Sequence, residues 1–480
     1  MGIAFVPIYI KYLGVEAYGL IGLFALIHAL MAILDSGMVS ALGREMAKFS
    51  GGGLDSFSIR RLLRSIEIIA IVLFCLVALF IWLASGWLSQ HWLQASQLSD
   101  ASVKQAISII GAVVGLRLVE NVYRSCLIGL QRQVVVNVVV GLMATMRGIG
   151  AVGILAWVSS SISAYFVWQG VISTVTTLFL AVVTYRVLPH TERTIKFSTV
   201  GIRQISKFAG GVSGITVLAL LLTQLDKLLL THFLTLEEFG VYAFATAVAS
   251  VLYMMTTPIT QAYFPRFVEL ITQKNEVGLA YSFHQSSQLV TILTGSVAIM
   301  MVLFSTELLT LWTSNTELSN AAGKLLSILA MGTLMNSVMY IPVQMQLAHG
   351  WTSLILWTNS IAVLTLVPAI FFVVPKAGSV GAAWIWALLN IGYIISVLFM
   401  FKKILTKEKI YWYWRDLMMP IFFGLAVGVL GSLFFPHEAH PLIQLLAFAA
   451  IWGAVAITML SMTSIVGASA FHLLNKMLWR

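Results

Sequence analysis

Charge is what this chain has least of: Asp, Glu, Lys and Arg together make up 10% of 480 residues, against about a quarter in an ordinary soluble domain. With 59% of residues hydrophobic, a soluble globular protein is excluded and a polytopic membrane protein is indicated. Cysteine is nearly missing. The two present, Cys75 and Cys126, both sit inside apolar runs, so neither a disulfide framework nor a zinc site is suggested. Histidine forms no ligand cluster, and the one close pair, His437 and His440, reads as part of an interfacial loop rather than a metal site. No metal and no cofactor are expected. The opening MGIAFVPIYI has neither a basic n-region nor an AxA-like cleavage site, so it is not read as a cleavable signal peptide. Long loops are missing too. No connection is much longer than about twenty residues, which leaves a soluble catalytic domain no place, and the chain is read as a non-enzyme.

What is present is a series of apolar runs of about 20 residues, the length that crosses a bilayer as a helix. After a short run at 1–10 they fall at about 17–42, 65–88, 104–130, 134–158 and 162–187. A polar, basic break at 188–208 follows. The runs resume at about 209–232, 239–263, 286–312, 320–347, 352–375 and 379–401, with a last pair at 417–436 and 442–464. An all-α membrane protein of about fourteen spans is expected. It divides into an N-terminal lobe (1–187), a basic linker (188–208), a C-terminal lobe (209–401) and two extra helices with a tail (402–480).

Orientation follows from Lys and Arg, which are retained in cytoplasmic connections. With a cytoplasmic N-terminus the inside loops hold Arg44, Lys48, Arg60, Arg61, Arg64, Arg132, Arg186, Arg193, Lys196, Arg203, Lys207, Arg266, Lys274, Lys402, Lys403, Lys407, Lys409 and Arg415, and the tail adds Lys476 and Arg480. Only Lys11, Lys104, Lys324 and Lys376 fall outside. Both termini are therefore placed in the cytoplasm. The net charge of +10 is largely this asymmetry, and it calls for no nucleic-acid partner because the cations are spread over many loops.

One span departs from the apolar pattern. Residues 104–130 carry Arg117, Glu120 and Arg124, which at about 100° per residue fall within about 60° of one another. A charge at the bilayer centre costs about 2.5 to 3.5 kcal/mol on insertion scales, so this stripe is expected to line a cavity rather than face lipid.

The two halves read as copies. YLGVEAYG at 12–19 and FLTLEEFG at 233–240 are offset by 221 residues, and the same offset carries Ser65 onto Ser286. Other span starts coincide to within about five residues. Six spans per half, an even number, give both copies one orientation, so they form parallel repeats about an axis along the membrane normal. Two lobes facing a central cavity are expected. The repeat also bears on the start of the chain: the counterpart of 209–232 falls at −12 to 11, whereas MGIAFVPIYI reaches about half the hydrocarbon thickness and contains Pro7. A complete first helix would need about a dozen more residues, so Met1 is read as an internal codon or the reading frame as having lost its beginning, the plainer alternative being a genuine half-span tucked against the lobe.

A first loop of the form LGxExYG, Asp35 and Gly37 ahead of Arg44, Gln224 with Asp226, and about fourteen spans together resemble the Wzx-type O-antigen and polysaccharide flippases of the multidrug/oligosaccharidyl-lipid/polysaccharide exporter superfamily. The resemblance covers nearly the whole chain. It implies a bacterial inner-membrane transporter that moves an undecaprenyl-diphosphate-linked oligosaccharide from the cytoplasmic to the periplasmic leaflet, with a fold like that of multidrug antiporters. Polysaccharide polymerase machinery is a further implied partner.

The charges suit that task. An anionic, hydrated headgroup needs a cationic cavity, and Arg117, Arg124, Arg147 and Lys227 are the candidates to bind it, since guanidinium groups hold phosphate oxygens bidentately. Asp35, Glu120 and Asp226 are candidates for coupling to H+ or Na+, because intramembrane carboxylates relay ions. Plainer readings stand beside these: Glu120 paired structurally with Arg117 or Arg124, and Asp35 capping its helix or paired with Arg44. Gly111 and Gly115 permit close helix packing, and Pro258, Pro342 and Pro368 mark kinks. Two other functions compete. A multidrug or organic-cation antiporter would share the fold but calls for an acidic, aromatic cavity, and a membrane polymerase or ligase of lipid-linked glycans calls for a long periplasmic loop.

Overall fold

The computed structural model describes residues 5–50, 54–93, 95–189 and 197–463, and for Ala32, Asp226 and several other residues within 204–225 it describes the backbone alone. The middle of the expected linker (190–196) and the end of the tail (464–480) thus lie outside the described residues. Every element among the described residues is helical, and they group into two compact units, Met1–Val241 and Tyr242–Arg480.

The first unit contains α1 (Val6–Leu13), α2 (Val15–Ser50), α3 (Ser56–Trp87, continued by a π-helical turn Leu88–Trp92), α4 (Asp100–Gly129), α5 (Gln133–Trp157), α6 (Ile162–Val187) and α7 (Thr199–Phe233). Local chemistry sets the starts. Asp55 accepts from the Ser58 amide, Ser99 from Ser102 and Ser161 from Ala164, each a side-chain cap on a first-turn N–H that has no helical partner. Gly14, at φ +83°, separates α1 from α2 in a conformation other residues resist. Pro7 does not interrupt α1 as its position had suggested; it sits in the first turn, where a missing N–H costs nothing.

α4 is the central element, packed against α3, α6 and α2. Its glycines allow this. A Cβ on Gly111 would meet Ile81 and one on Gly115 would meet Phe74, both of α3, while one on Gly129 would strike the carbonyl oxygen of Gly43 on α2. α3 carries the opposite pattern, with Val72, Leu76, Leu79, Phe80 and Leu83 forming an exposed apolar stripe at helical spacing. Such a stripe suits a hydrocarbon surrounding. Arg60, Arg61 and Arg64 belong to the first turns of α3 rather than to a loop, and α7 begins at Thr199 rather than at 209.

The two copies of the repeat motif meet within this unit. A Cβ on Gly19 would collide with the Leu236 carbonyl oxygen, and one on Gly240 with that of Val15. Under the 221-residue offset Gly19 corresponds to Gly240 and Val15 to Leu236. The contact is thus reciprocal, as twofold symmetry requires.

The second unit, which begins inside α8 (Leu236–Ala249), continues through α9 (Val251–Thr272), α10 (Glu276–Leu303), α11 (Ser305–Thr313), α12 (Thr316–Ala348), α13 (Ser353–Met400), α14 (Lys409–Leu433) and α15 (Pro441–Ser461). α10 and α12 are its core, 72% and 67% buried over their most apolar stretch, against 22% for α13 and 17% for α15. α13 merges the expected spans 352–375 and 379–401 without a loop, because Gly378, at φ +56° and ψ −147°, turns the chain by itself. The expected span 239–263 lies within Leu236–Thr272, one membrane-length apolar span with a one-residue interruption at Ser250 between α8 and α9. Among the described residues, ten helices are long and apolar enough to cross a membrane, or eleven counting Val15–Met31 and Ile33–Ser50, which meet at 51°, as one span. α1, at eight residues, is not one of them.

Candidate functional site

The sequence Arg147-Gly148-Ile149-Gly150 shows how a cation comes to lie inside the first unit. A Cβ at Gly148 would overlap Phe5 and one at Gly150 would overlap Trp168, so α5 lies directly against the residue that precedes α1 and against α6. Arg147 is thereby held beside α4. Its Nη2 lies 3.7 Å from Glu120 Oε2 and 3.4 Å from Ser173 Oγ of α6, to which it donates. Glu120 is buried at 8% exposure. Beside the plainer reading of a structural pair between Glu120 and Arg117 or Arg124, the ion pair is made across helices, with Arg147.

Arg117, one turn before Glu120, directs its guanidinium over the Phe24 ring of α2 at 5.6 Å. Phe24 in turn contacts His28, ring centroids 6.2 Å apart. Arg117 and Arg147 both act electrostatically on His28 and on Tyr165 of α6. Two cations and one anion therefore meet among four helices. The Nε atoms of Arg117 and Arg147 and Oε2 of Glu120 are buried without a hydrogen-bond partner among the described residues. Buried polar groups are ordinarily satisfied, so two unsatisfied guanidinium N–H groups in one cluster constitute a standing capacity for anionic oxygen.

The remaining candidates whose side chains are described have other partners or surroundings. Arg124 is exposed on α4, farther along toward Gly129. Lys227 donates to Gln224 Oε1 at 3.4 Å, a contact within α7. The side chain of Asp226 lies outside the described residues. Asp35 is 4% exposed and accepts from Asn121 Nδ2 of α4 at 2.7 Å. It does not cap the end of its helix, since α2 continues to Ser50; the helix bends between Met31 and Ile33, just ahead of it.

His28, Asn121, Tyr165 and Ser173 escaped the sequence reading. His28 had a signal: it lies seven residues before Asp35 in an otherwise apolar run, hence on the same helical face. Tyr165 and Ser173 had none, being ordinary residues of an apolar helix until α6 is packed against α4 and α5.

The helical architecture defines a multi-pass membrane protein with a net-cationic cluster inside its first unit. Among solved structures the fold is similar to "Lipid II flippase MurJ, inward closed conformation" (TM-score 0.70, 13% identity, 98% of this chain and 97% of that chain covered). It is likewise similar to an inward-facing multidrug resistance MATE family transporter of the MOP superfamily (TM-score 0.67, 16% identity, 85% and 94% covered) and to the MATE multidrug transporter DinF-BH (TM-score 0.56, 15% identity, 84% and 92% covered). At these identities the likeness establishes the fold. The family profile described as "Polysaccharide biosynthesis protein" matches residues 1–271, and a MatE profile matches 213–372. The chain belongs to the polysaccharide biosynthesis protein family, which bears out the resemblance to polysaccharide flippases. No curated protein matches it by sequence.

Proposed function

We propose that the protein is a flippase that carries an undecaprenyl-diphosphate-linked oligosaccharide from the cytoplasmic to the periplasmic leaflet of the bacterial inner membrane, by alternating access coupled to H+ or Na+. Both termini are cytoplasmic in this reading. The observation that carries it is the pair of half-buried arginines, Arg117 and Arg147, each with a buried Nε that has no hydrogen-bond partner among the described residues and with Glu120 as their shared counter-ion. A diphosphate presents oxygens that satisfy such donors, and guanidinium forks are the side chains best shaped to take them. Arg124 and Lys227 then serve the approach of the headgroup, and Asp35, Glu120 and Asp226 the coupling ion. The polyprenyl tail stays in lipid.

Export of surface polysaccharide in a strain lacking its own transporter tests this. At matched protein levels Arg117→Ala and Arg147→Ala should each reduce export by about tenfold or more, the loss of one charge-assisted hydrogen bond. The Lys variants should retain more, because charge survives while the fork does not. Wild-type export by Arg147→Glu removes Arg147 from the site.

A multidrug antiporter is the second reading, supported by the MatE match over 213–372. It requires a cavity that attracts organic cations, and the Arg117–Glu120–Arg147 cluster has the opposite sign. Drug sensitivity that rises on deletion while polysaccharide export is unchanged would favour that reading.

A further inference from the structure

The second unit holds a buried polar cluster that the transport reading does not use. His284, on α10 and 8% exposed, lies with Nδ1 2.5 Å from Asp416 Oδ2 and Nε2 3.1 Å from Glu408 Oε2. Asp416 is fully buried, and its other oxygen accepts from Gln288 Nε2 at 2.7 Å. Both acids come from the segment that opens α14. Asp416 lies in its π-helical stretch Trp412–Met418, an irregularity found frequently at functional positions. The same stretch is anchored by Trp412, which is fully buried and donates to Ser287 Oγ at 3.1 Å.

Counting protons decides what the cluster is. Ionised carboxylates only accept hydrogen bonds, and a neutral imidazole has one N–H. Contacts from both ring nitrogens to two carboxylates therefore need one proton more than neutral histidine supplies, held as imidazolium or on one carboxyl. Tyr411 packs its ring on His284 at 4.6 Å, and Arg415, which donates to the Tyr411 hydroxyl, acts on Asp416. The charged groups that act most strongly on His284 are Asp416 and Glu408.

The repeat shows that this is no general packing solution. Gln288 corresponds to Glu67 in the first copy, where the carboxylate accepts from Tyr185 Oη at 2.7 and 2.8 Å and pairs with Arg64 at 3.2 Å. The position of His284 is there occupied by Leu63.

We propose that His284, Asp416 and Glu408 form a single-proton binding site that docks the start of α14 onto α10. Loss of the proton turns one ring nitrogen into a lone pair facing a carboxylate. Asp416 is buried and tied to Gln288, whereas the Glu408 side chain is 31% exposed, so Glu408 is the contact that opens. Docking is complete at low pH and weakens as pH rises.

The site stands apart from the transport reading, and so does its test. Hydrogen exchange of peptides spanning 405–418 is followed by mass spectrometry in the purified full-length protein from about pH 6 to about pH 9, corrected for intrinsic rates. Protection should fall several-fold through one single-proton transition. Glu408→Gln, altered at a partly exposed position, should lower the midpoint by about one pH unit or more by removing a negative neighbour. His284→Asn should abolish the pH dependence. A wild-type profile flat with pH, a midpoint unmoved in Glu408→Gln, or a transition that survives in His284→Asn overturns the proposal.

Discussion

Asp35 is the residue whose chemistry and packing a single substitution can separate. Its carboxylate accepts one hydrogen bond from Asn121 at 2.7 Å, and an asparagine oxygen can accept the same bond. Asp35→Asn should therefore insert and accumulate as the wild type does, since removing a charge from the membrane also relieves an insertion cost. If Asp35 exchanges the coupling ion, polysaccharide export should nonetheless be lost. Normal export by that variant ends its role in coupling. Arg117, Glu120 and Arg147 could be singled out in the sequence because charges are so rare there, yet their partners could not. Helical spacing relates Glu120 only to residues of α4, whereas its ion pair is made with α5, 27 residues along the chain.

Among the elements, α13 gives the sharpest test. Its 48 residues would extend about 70 Å as a straight helix, more than twice the hydrocarbon thickness. Gly378 breaks it in a backbone region that is essentially reserved for glycine. A Cβ there would meet nothing within 4 Å, so any penalty is conformational and not steric. Gly378→Ala should destabilise the protein by about 1 to 3 kcal/mol, read as a lowered thermal midpoint in detergent. An unchanged midpoint would mean that the turn is made elsewhere. In the sequence α13's two spans stand on either side of 376–378, but the residues that signal kinks there are prolines. The break falls at a glycine because its conformation there, φ +56°, is one that proline cannot adopt.

At the scale of the whole molecule two expectations concern symmetry and orientation. Gly19→Ala and Gly240→Ala should each reduce stability by about 1 to 3 kcal/mol through contact with a carbonyl oxygen of the other repeat copy. Because both act at one crossing, the double variant should lose less than the sum; strict additivity would show two independent contacts. Orientation can be checked in a chain with Cys75 and Cys126 replaced by alanine. Ser159 and Lys274 are both exposed. A cysteine at 159 should react with an impermeant maleimide added outside and one at 274 only after permeabilisation. The reverse pattern would invert the topology argued from Lys and Arg.

The class of this protein was written in its composition. With so few charges, backbone groups in lipid can be satisfied only within helices or closed barrels, and hydropathy, charge asymmetry and an eight-residue repeat then give expected spans, an expected sidedness and copies. Those signals are local or periodic, and each survives in a one-dimensional reading. Tertiary structure decided the rest. That Asp35 meets Asn121, that Glu120 meets Arg147, and that His284 lies between Glu408 and Asp416, the latter 132 residues along the chain, depends on which helices pack together. That choice is made by the shapes of surfaces such as Gly111 against Ile81 and Gly150 against Trp168, whose complementarity has no periodicity to read.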